Sequence, residues 1–435
     1  MTLSDVRDTE PRLLKEPRGG VPDVISTLDG YHRYCETLAM SDGPLAADAE
    51  RASGFRYGHE DWLIQFKRSS AGIALLDPVA LSREGADWNE LNNAVGDAVW
   101  ILHDSLMDLP GFADIGLTPQ RLFDTEIAAR LLGLHRFGLA AVTEHYLGIT
   151  LAKEHSAADW SYRPLPRDWR NYAALDVEVL IELESLMRAD LKRSGKDEWA
   201  QEEFAYALAE GLAGRKPHPI PWLRVSRITQ LSRDPQGLAI AKSLWEERDR
   251  LARQYDIAPT LLLTDSSIIE AAQAKPHNAA QFRALRSLNE RVRIRTGTEQ
   301  DKMFERYAPI QRAVKPKVWK LAIDRAMALK PNQWPTMPTP EPTDGGVVNA
   351  PRSMKLWEQR HPDRYERLQR VRRVVNQIAQ DTRTPAEMVL KPQILRNLCW
   401  LEDPQEVDIA EFLRGQGARQ WQVKLVAPSV SGVII

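Results

Sequence analysis

A chain of 435 residues with 43% apolar and 27% charged residues has the make-up of folded globular protein, which excludes wholesale disorder and collagen-like repetition. Lys+Arg 58 against Asp+Glu 60 leaves a formal net charge of -2, so any nucleic acid must be held by locally basic faces rather than by overall positive charge. No run of about 18 apolar residues occurs, and Cys35 and Cys399 are too few for a disulfide framework; the expectations are no membrane association and a reducing cytoplasm.

In chain order, residues 1–26 are charged, carry Pro11, Pro17 and the Gly19-Gly20 pair, and read as a flexible tail. Residues 27–208 mix short apolar runs of strand length, at 45–49, 61–66, 73–76 and 99–103, with a long helical stripe at 168–193, the pattern of an α/β domain. Gly214, Pro217, Pro219 and Pro221 punctuate a change to helix. Residues 215–295 read as one all-α bundle with helices at 238–254, 266–273 and 278–292, and residues 296–430 as a second helical domain with a Pro/Gly-rich loop at 331–351. The second domain echoes the first: a helix, a Pro, a Leu-containing step and another helix recur at 368–400, with about two extra residues expected in the later copy.

The chemistry begins in the run Leu45-Ala46-Ala47-Asp48-Ala49-Glu50. Strand period 2 places Asp48 and Glu50 on one face. Either they lie past the strand's end in solvent, or they share a half-buried face, where two like charges need a hard cation such as Mg²⁺ or Mn²⁺ between them. The run at 99–103 is followed by Asp104 and Asp108, the latter placed where a following helix turns back toward the strand ends. Downstream, Tyr172 and Asp176 stand four residues apart, so a phenol and a carboxylate share one helix face.

These three motifs, Asp48-Ala49-Glu50, Leu102-His103-Asp104-Ser105-Leu106-Met107-Asp108 and Tyr172-Ala173-Ala174-Leu175-Asp176, resemble in order and spacing the DEDD superfamily of 3′–5′ exonucleases, its tyrosine subclass, and within that the ribonuclease D group. The likeness covers about residues 28–205 and includes Asp124-Thr125 and Asp159-Trp160-Ser161-Tyr162-Arg163-Pro164. Leu244-Trp245 with Arg248, Asp256 and Pro259 is similar to HRDC domains, and the second helical domain to a more divergent copy.

The resemblance implies a ribonuclease H-like mixed sheet flanked by helices, followed by two HRDC-type bundles. It implies two divalent ions, Mg²⁺ or Mn²⁺, held by Asp48, Glu50, Asp108 and Asp176, with Tyr172 orienting the attacking water. The implied activity is hydrolysis of RNA from its 3′ end, single-stranded or as a structured precursor such as that of tRNA, releasing nucleoside 5′-monophosphates. The alternatives are the same chemistry on DNA and an inactive nucleic-acid-binding protein; no obligate protein partner is implied. Relatives carry a small residue where this chain has Asp104, which is expected to face solvent.

Lys153 and Arg163 are candidates for phosphate contact and Trp160 for base stacking, against the plainer readings of solvated charge and loop anchor. His103 reads as a satisfied strand-end histidine. Two basic runs, Arg306 to Lys330 and Arg360 to Arg373, offer a further backbone-tracking surface or simply solvated helix faces.

Overall fold

The computed structural model describes residues 11–151, 155, 157–297, 300–338 and 349–434. Eight strands form in chain order: β1 Arg12–Leu14, β2 Val24–Ile25, β3 Leu45–Arg51, β4 Asp61–Arg68, β5 Gly72–Leu76, β6 Val99–Leu102, β7 Arg121–Asp124 and β8 Ile149–Leu151. Six of them make one mixed sheet in the order β2-β5-β4-β3-β6-β7, and β1 pairs with β8 in a separate two-stranded ladder. β3 pairs antiparallel with β4 and parallel with β6, so the strand that carries Asp48 and Glu50 is interior to the sheet.

The two faces of the sheet differ, and β4 shows why. Ile64 and Phe66 point into the main core with Trp100, Phe112 and Phe123, under the helix Leu180–Arg193. Leu63, on the opposite face, packs instead with Trp160, Trp169, Ala173 and Ala174 under the helix Arg167–Glu178. Leu63 and Gln65 pair directly with Glu50 and Asp48, and paired residues of an antiparallel ladder share a face. Both acids are thus aimed at the helix that bears Tyr172 and Asp176.

The helical stripe expected as one element at 168–193 is two helices, Arg167–Glu178 and Leu180–Arg193. At the break the Val179 N–H turns to the Val177 carbonyl, and Lys67 reaches up from β4 to take the Glu178 carbonyl at 2.5 Å and its carboxylate at 3.1 Å. The periodicity is continuous through this point, so the sequence pattern does not register a tertiary contact that ends a helix.

Of the flexible tail expected over 1–26, residues 1–10 lie outside the described residues, and from residue 11 the chain is tied down. Arg12–Leu14 aligns with Ile149–Leu151, Val24–Ile25 with Leu75–Leu76, and Arg18 reaches Glu182 at 2.7 Å. Strands of two or three residues borrow their stability from the ladder they join and leave no pattern of their own.

The helical region has two cores. The first runs from Trp222 to Trp334 and Met337, and includes Phe282, Leu288, Trp319 and Ile323. The division expected at 295/296 falls inside this core, because the helix Lys317–Met327 lies along Pro235–Tyr255, with Ser243 donating to the Ala322 carbonyl at 2.7 Å. The helix expected at 278–292 is two short ones, Ala279–Ala284 and Arg286–Asn289. The second core runs from Ala350 to Ile434. The echo between the two is structural: helices starting at 235, 259 and 265 recur at 362, 386 and 392, a constant offset that leaves no extra residues in the later copy. Both long helices end on a left-handed residue, Asp256 and Arg383. Of the loop expected at 331–351, residues 339–348 lie outside the described residues, and Pro331–Gln333 is one 3₁₀ turn.

Both helical cores are fastened to the α/β domain. Phe55, just beyond β3, is buried in the first helical core and stacks on Phe304 at 4.6 Å, while its carbonyl accepts from Ala258 at 2.8 Å. Tyr57 donates to Asp249 at 3.0 Å, and Tyr307 donates to buried Asp159 at 3.0 Å. The second core docks on the helix Asp197–Leu212, where Trp421 stacks on Trp199 at 4.7 Å and Arg419 pairs with Glu203 at 2.7 Å.

Phe66 is fully buried and touches both Trp100 and Phe112, with ring centroids at 5.5 and 6.5 Å. Phe66→Ala is expected to cost about 3–5 kcal/mol, read as a lowered midpoint in urea unfolding with an unchanged slope. A loss under about 1 kcal/mol would mean that this cluster does not hold the sheet.

Candidate active site

Asp48 and Glu50 lie on β3 and Asp176 on the helix that crosses it, and one carboxylate oxygen from each falls within 4.8 Å of the others. All three residues are partly buried. Burial, and then the Asp176 charge, pushes Asp48 up to about 8. Asp176 is raised to about 7, again chiefly by burial, with the Tyr172 hydroxyl pulling the other way. Glu50 is held well above the ordinary glutamate range by burial and by Asp48 and Asp176. Such a cluster is costly as ionised carboxylates without a cation, and its donors are all oxygen, the ligand set of a hard divalent ion. Gln65, directly across the ladder from Asp48, is wholly buried with neither amide atom bonded, so polar capacity at the site is unfilled by protein. The residues present fit a divalent metal.

Tyr172 stands one turn before Asp176, its ring between Trp160 and His155 at 6.2 and 6.1 Å. Burial, followed by the charges of Asp176, Glu50 and Asp48, raises its phenol above the ordinary tyrosine value. The hydroxyl's contact with the Asp176 carboxylate favours the protonated phenol in the same direction.

Asp108 is the fourth expected acid, and it is close without being part of the three-oxygen cluster. It precedes the helix Leu109–Asp114 but makes no capping bond to it. Its Oδ1 instead accepts from Arg51 at 3.0 Å, and Arg51 lies 3.3 Å from Asp61 Oδ1. Burial and the Asp48 charge raise Asp108, and Arg51 opposes them. Arg51 reaches these acids because the β3–β4 register shifts between Glu50 and Arg51, an irregularity that re-aims a side chain which strict alternation sends to the other face. Asp61 is 5% exposed, is pushed up to about 6 by burial, and sits so close under the helix Leu109–Asp114 that a Cβ on Gly111 would lie 2.2 Å from its Oδ2. Sequence reasoning passed over both residues. The signals were an arginine directly after Asp-x-Glu, and an acid heading an apolar strand.

The expected nucleic-acid contacts fare differently. Lys153 lies outside the described residues. Trp160 is fully buried, in edge contact with Trp169 at 5.6 Å, so it is core and offers no face to a base. Arg163 binds Asp77 at 2.6 Å and the carbonyls of Trp160, Tyr162 and Trp62 at 2.6, 2.9 and 2.5 Å; with four of its five N–H groups engaged, it ties a loop to the sheet. Neither fate is written in composition, since each depends on which loop packs where. His103 is satisfied by Thr125 at 2.8 Å, and exposed Asp104 occupies a left-handed turn position at φ 59. In the basic runs, Lys320 and Arg325 pair with Asp324 and Glu247, and Arg367 binds two main-chain carbonyls.

Comparison with known proteins joins these observations. Residues 22–192 match the family model of a 3′-5′ exonuclease, residues 237–299 that of the HRDC domain, and residues 350–434 that of a 3′ to 5′ exonuclease C-terminal domain. The chain is 32% identical over 220 residues to ribonuclease D of Shewanella sp. strain ANA-3, covering 50% of this chain and 55% of that protein. Against Escherichia coli K12 ribonuclease D it is 28% identical over 266 residues, covering 60% and 68%. The match thus spans a little over half to about two thirds of the curated relatives' lengths. Among solved structures, a protein from Bifidobacterium adolescentis is 69% identical with a TM-score of 0.92, covering 98% of this chain and 100% of that one. The E. coli RNase D structure, described as an exoribonuclease involved in structured RNA processing, shares the fold at a TM-score of 0.60 and 21% identity, covering 94% and 98%. The chain thus carries a 3′-5′ exonuclease domain followed by an HRDC domain and an exonuclease C-terminal domain, and it is similar to ribonuclease D.

Proposed function

We propose that this protein is a metal-dependent 3′–5′ exoribonuclease that hydrolyses phosphodiester bonds at RNA 3′ ends and releases nucleoside 5′-monophosphates. The observation that carries the reading is the convergence of Asp48, Glu50 and Asp176 within 4.8 Å, with Tyr172 one turn away on the same helix as Asp176. Asp48, Glu50, Asp108 and Asp176 would hold two divalent ions, Mg²⁺ or Mn²⁺, which when bound neutralise the charge that phosphoryl transfer spreads over the phosphate oxygens. Tyr172, still protonated, orients the attacking water by hydrogen bonding. The aromatic packing of Trp160 and Trp169 behind it fixes that orientation.

Structured precursor RNA, tRNA among it, is the substrate class we assign, with single-stranded 3′ ends as the entering form. No helix among the described residues is long and apolar enough to cross a membrane. Both cysteines are free and buried, and a reducing cytoplasm is the compartment we assign.

The direct test is digestion of a 5′-labelled RNA and its DNA counterpart with Mg²⁺, Mn²⁺ or EDTA. A ladder shortening from the 3′ end, metal-dependent and absent in Asp48→Ala, is expected, faster on RNA. A preference for DNA would move the reading to repair; no ladder on either polymer would refute catalysis.

Tyr172→Phe is expected to lower kcat by about 10²-fold or more while leaving Mn²⁺ affinity within about twofold, because it removes an orienting hydroxyl and no metal ligand. Unchanged kcat would remove Tyr172 from the chemistry.

The raised carboxylates also set a pH dependence. Asp48 at about 8 and Asp176 at about 7 are raised above the ordinary aspartate value of about 4 that they have when unfolded, so the stability they contribute without metal is fully present below about pH 4 and lost as pH rises to those values. In EDTA the melting temperature is therefore expected to fall between about pH 4 and pH 8 and to level off above, and Mn²⁺ to restore it most at the alkaline end. A melting temperature that is flat with pH in EDTA would contradict the buried-cluster geometry.

A further inference from the structure

Arg51 is the residue whose place in the site neither the family motifs nor the proposed chemistry explains. Its side chain is 18% exposed and sits between two acids whose side chains are 4% and 1% exposed, Asp108 at 3.0 Å and Asp61 at 3.3 Å. The two partners are not equivalent. Asp61 is seated under the helix Leu109–Asp114, against Gly111, and among the described residues its side chain has no other hydrogen-bond partner, so it is the fixed end of the pair. Asp108 faces the acidic cluster, and it stays outside the three-oxygen group of Asp48, Glu50 and Asp176 while its Oδ1 is on Arg51.

We propose that Arg51 is a positioning residue that guards Asp108: in the free protein its guanidinium takes the place of a cation on the Asp108 side of the site, and it yields Asp108 to a divalent ion only when a substrate phosphodiester arrives to accept the guanidinium. This rests on the exonuclease reading given above and deepens it. A guanidinium cannot deprotonate, so it competes with a metal ion for Asp108 at any working pH. Both acids are held by one terminal nitrogen, Nη1, so the other arm of the fork can take a phosphate oxygen as Nη1 leaves Asp108 and stays on Asp61; a lysine ammonium, on a shorter stem and with no second arm, cannot do both. The register shift at Glu50/Arg51 is what puts the fork there. The consequence is ordered loading: one ion on Asp48, Glu50 and Asp176 in the free enzyme, and Asp108 recruited with substrate.

The test is calorimetric titration of the full-length protein with MnCl₂ in the absence of RNA, for wild type, Arg51→Lys, Arg51→Gln and Asp108→Asn, with thermal unfolding to establish that each is folded. Wild type is expected to take one Mn²⁺, and Asp108→Asn to leave that isotherm unchanged. Arg51→Lys and Arg51→Gln are expected to take a second Mn²⁺ about tenfold or more tighter than wild type does, and to lose it when combined with Asp108→Asn. Arg51→Lys keeps a positive charge near the two acids, which supports folding should Arg51→Gln fail to fold, but its shorter stem withdraws the contact with Asp108 and its ammonium has no second arm. It is also expected to raise KM for RNA more than it lowers kcat. Two ions of comparable affinity in wild type, or an Arg51→Lys isotherm identical to wild type, would overturn the proposal. RNA cleavage by wild type is scored separately: its absence fails the exonuclease reading, while the isotherms still decide what Arg51 does.

Discussion

Carboxylates held within 4.8 Å of one another in a partly buried site repel, and each also loses hydration it would have in water. An isolated chain would never keep them there; the framework around them must be stiff enough to oppose the repulsion. That framework is the interior strand β3, paired on both sides, with the helix Arg167–Glu178 laid across its acidic face. On the other face Phe66, Trp100 and Phe112 fill the space under the sheet, so the strand cannot bow away from the helix without opening the main core. The polar arrangement is held in place by apolar packing that never touches it.

The helical region belongs to the same constraint. The segment that leaves β3 puts Phe55 into the first helical core, and the segment that leads into the Tyr172 helix gives Asp159 to Tyr307 of that domain. Arg306 lies over exposed Tyr162 at 3.8 Å beside the same seam. The first helical domain thus grips the chain just after one motif and just before another. It is fused to the site as well as appended to it, and the second domain docks through Trp421 on the helix Asp197–Leu212. Loss of either contact would be felt at the site through backbone position rather than through any ligand.

Charge is distributed by the same logic. A chain with a formal net charge of -2 has no general attraction for a polyanion, and several of its basic residues are consumed internally. Arg163 clamps Asp77 and two carbonyls, Arg248 holds Asp265 at 2.7 Å, and Arg51 stands between Asp61 and Asp108. Guanidinium groups suit such buried duty because they donate in several directions at once. The cation nearest the chemistry is therefore an internal one.

The two halves of the acidic cluster were legible in the sequence because their spacing is local: period 2 puts Asp48 with Glu50, and a four-residue step puts Tyr172 with Asp176. The α/β-then-helical order and the repeat of the helical domain were legible for the same reason, since amphipathic periods are written residue by residue. What no local pattern contains is the meeting of distant segments. The helix break at Val179 needs Lys67, the burial of Trp160 needs Trp169 and Tyr172, the anchoring of residues 12–14 needs β8, and the placing of 317–327 in the first helical core needs Pro235–Tyr255. Arg51 is the sharpest case, because a single register shift decides which face it joins. Sequence alone determined which chemistry this chain carries, because residue identity and short spacing suffice for that; tertiary structure alone decided which charges reach it, because long-range pairing sets distances between acids and cations that lie far apart in the chain.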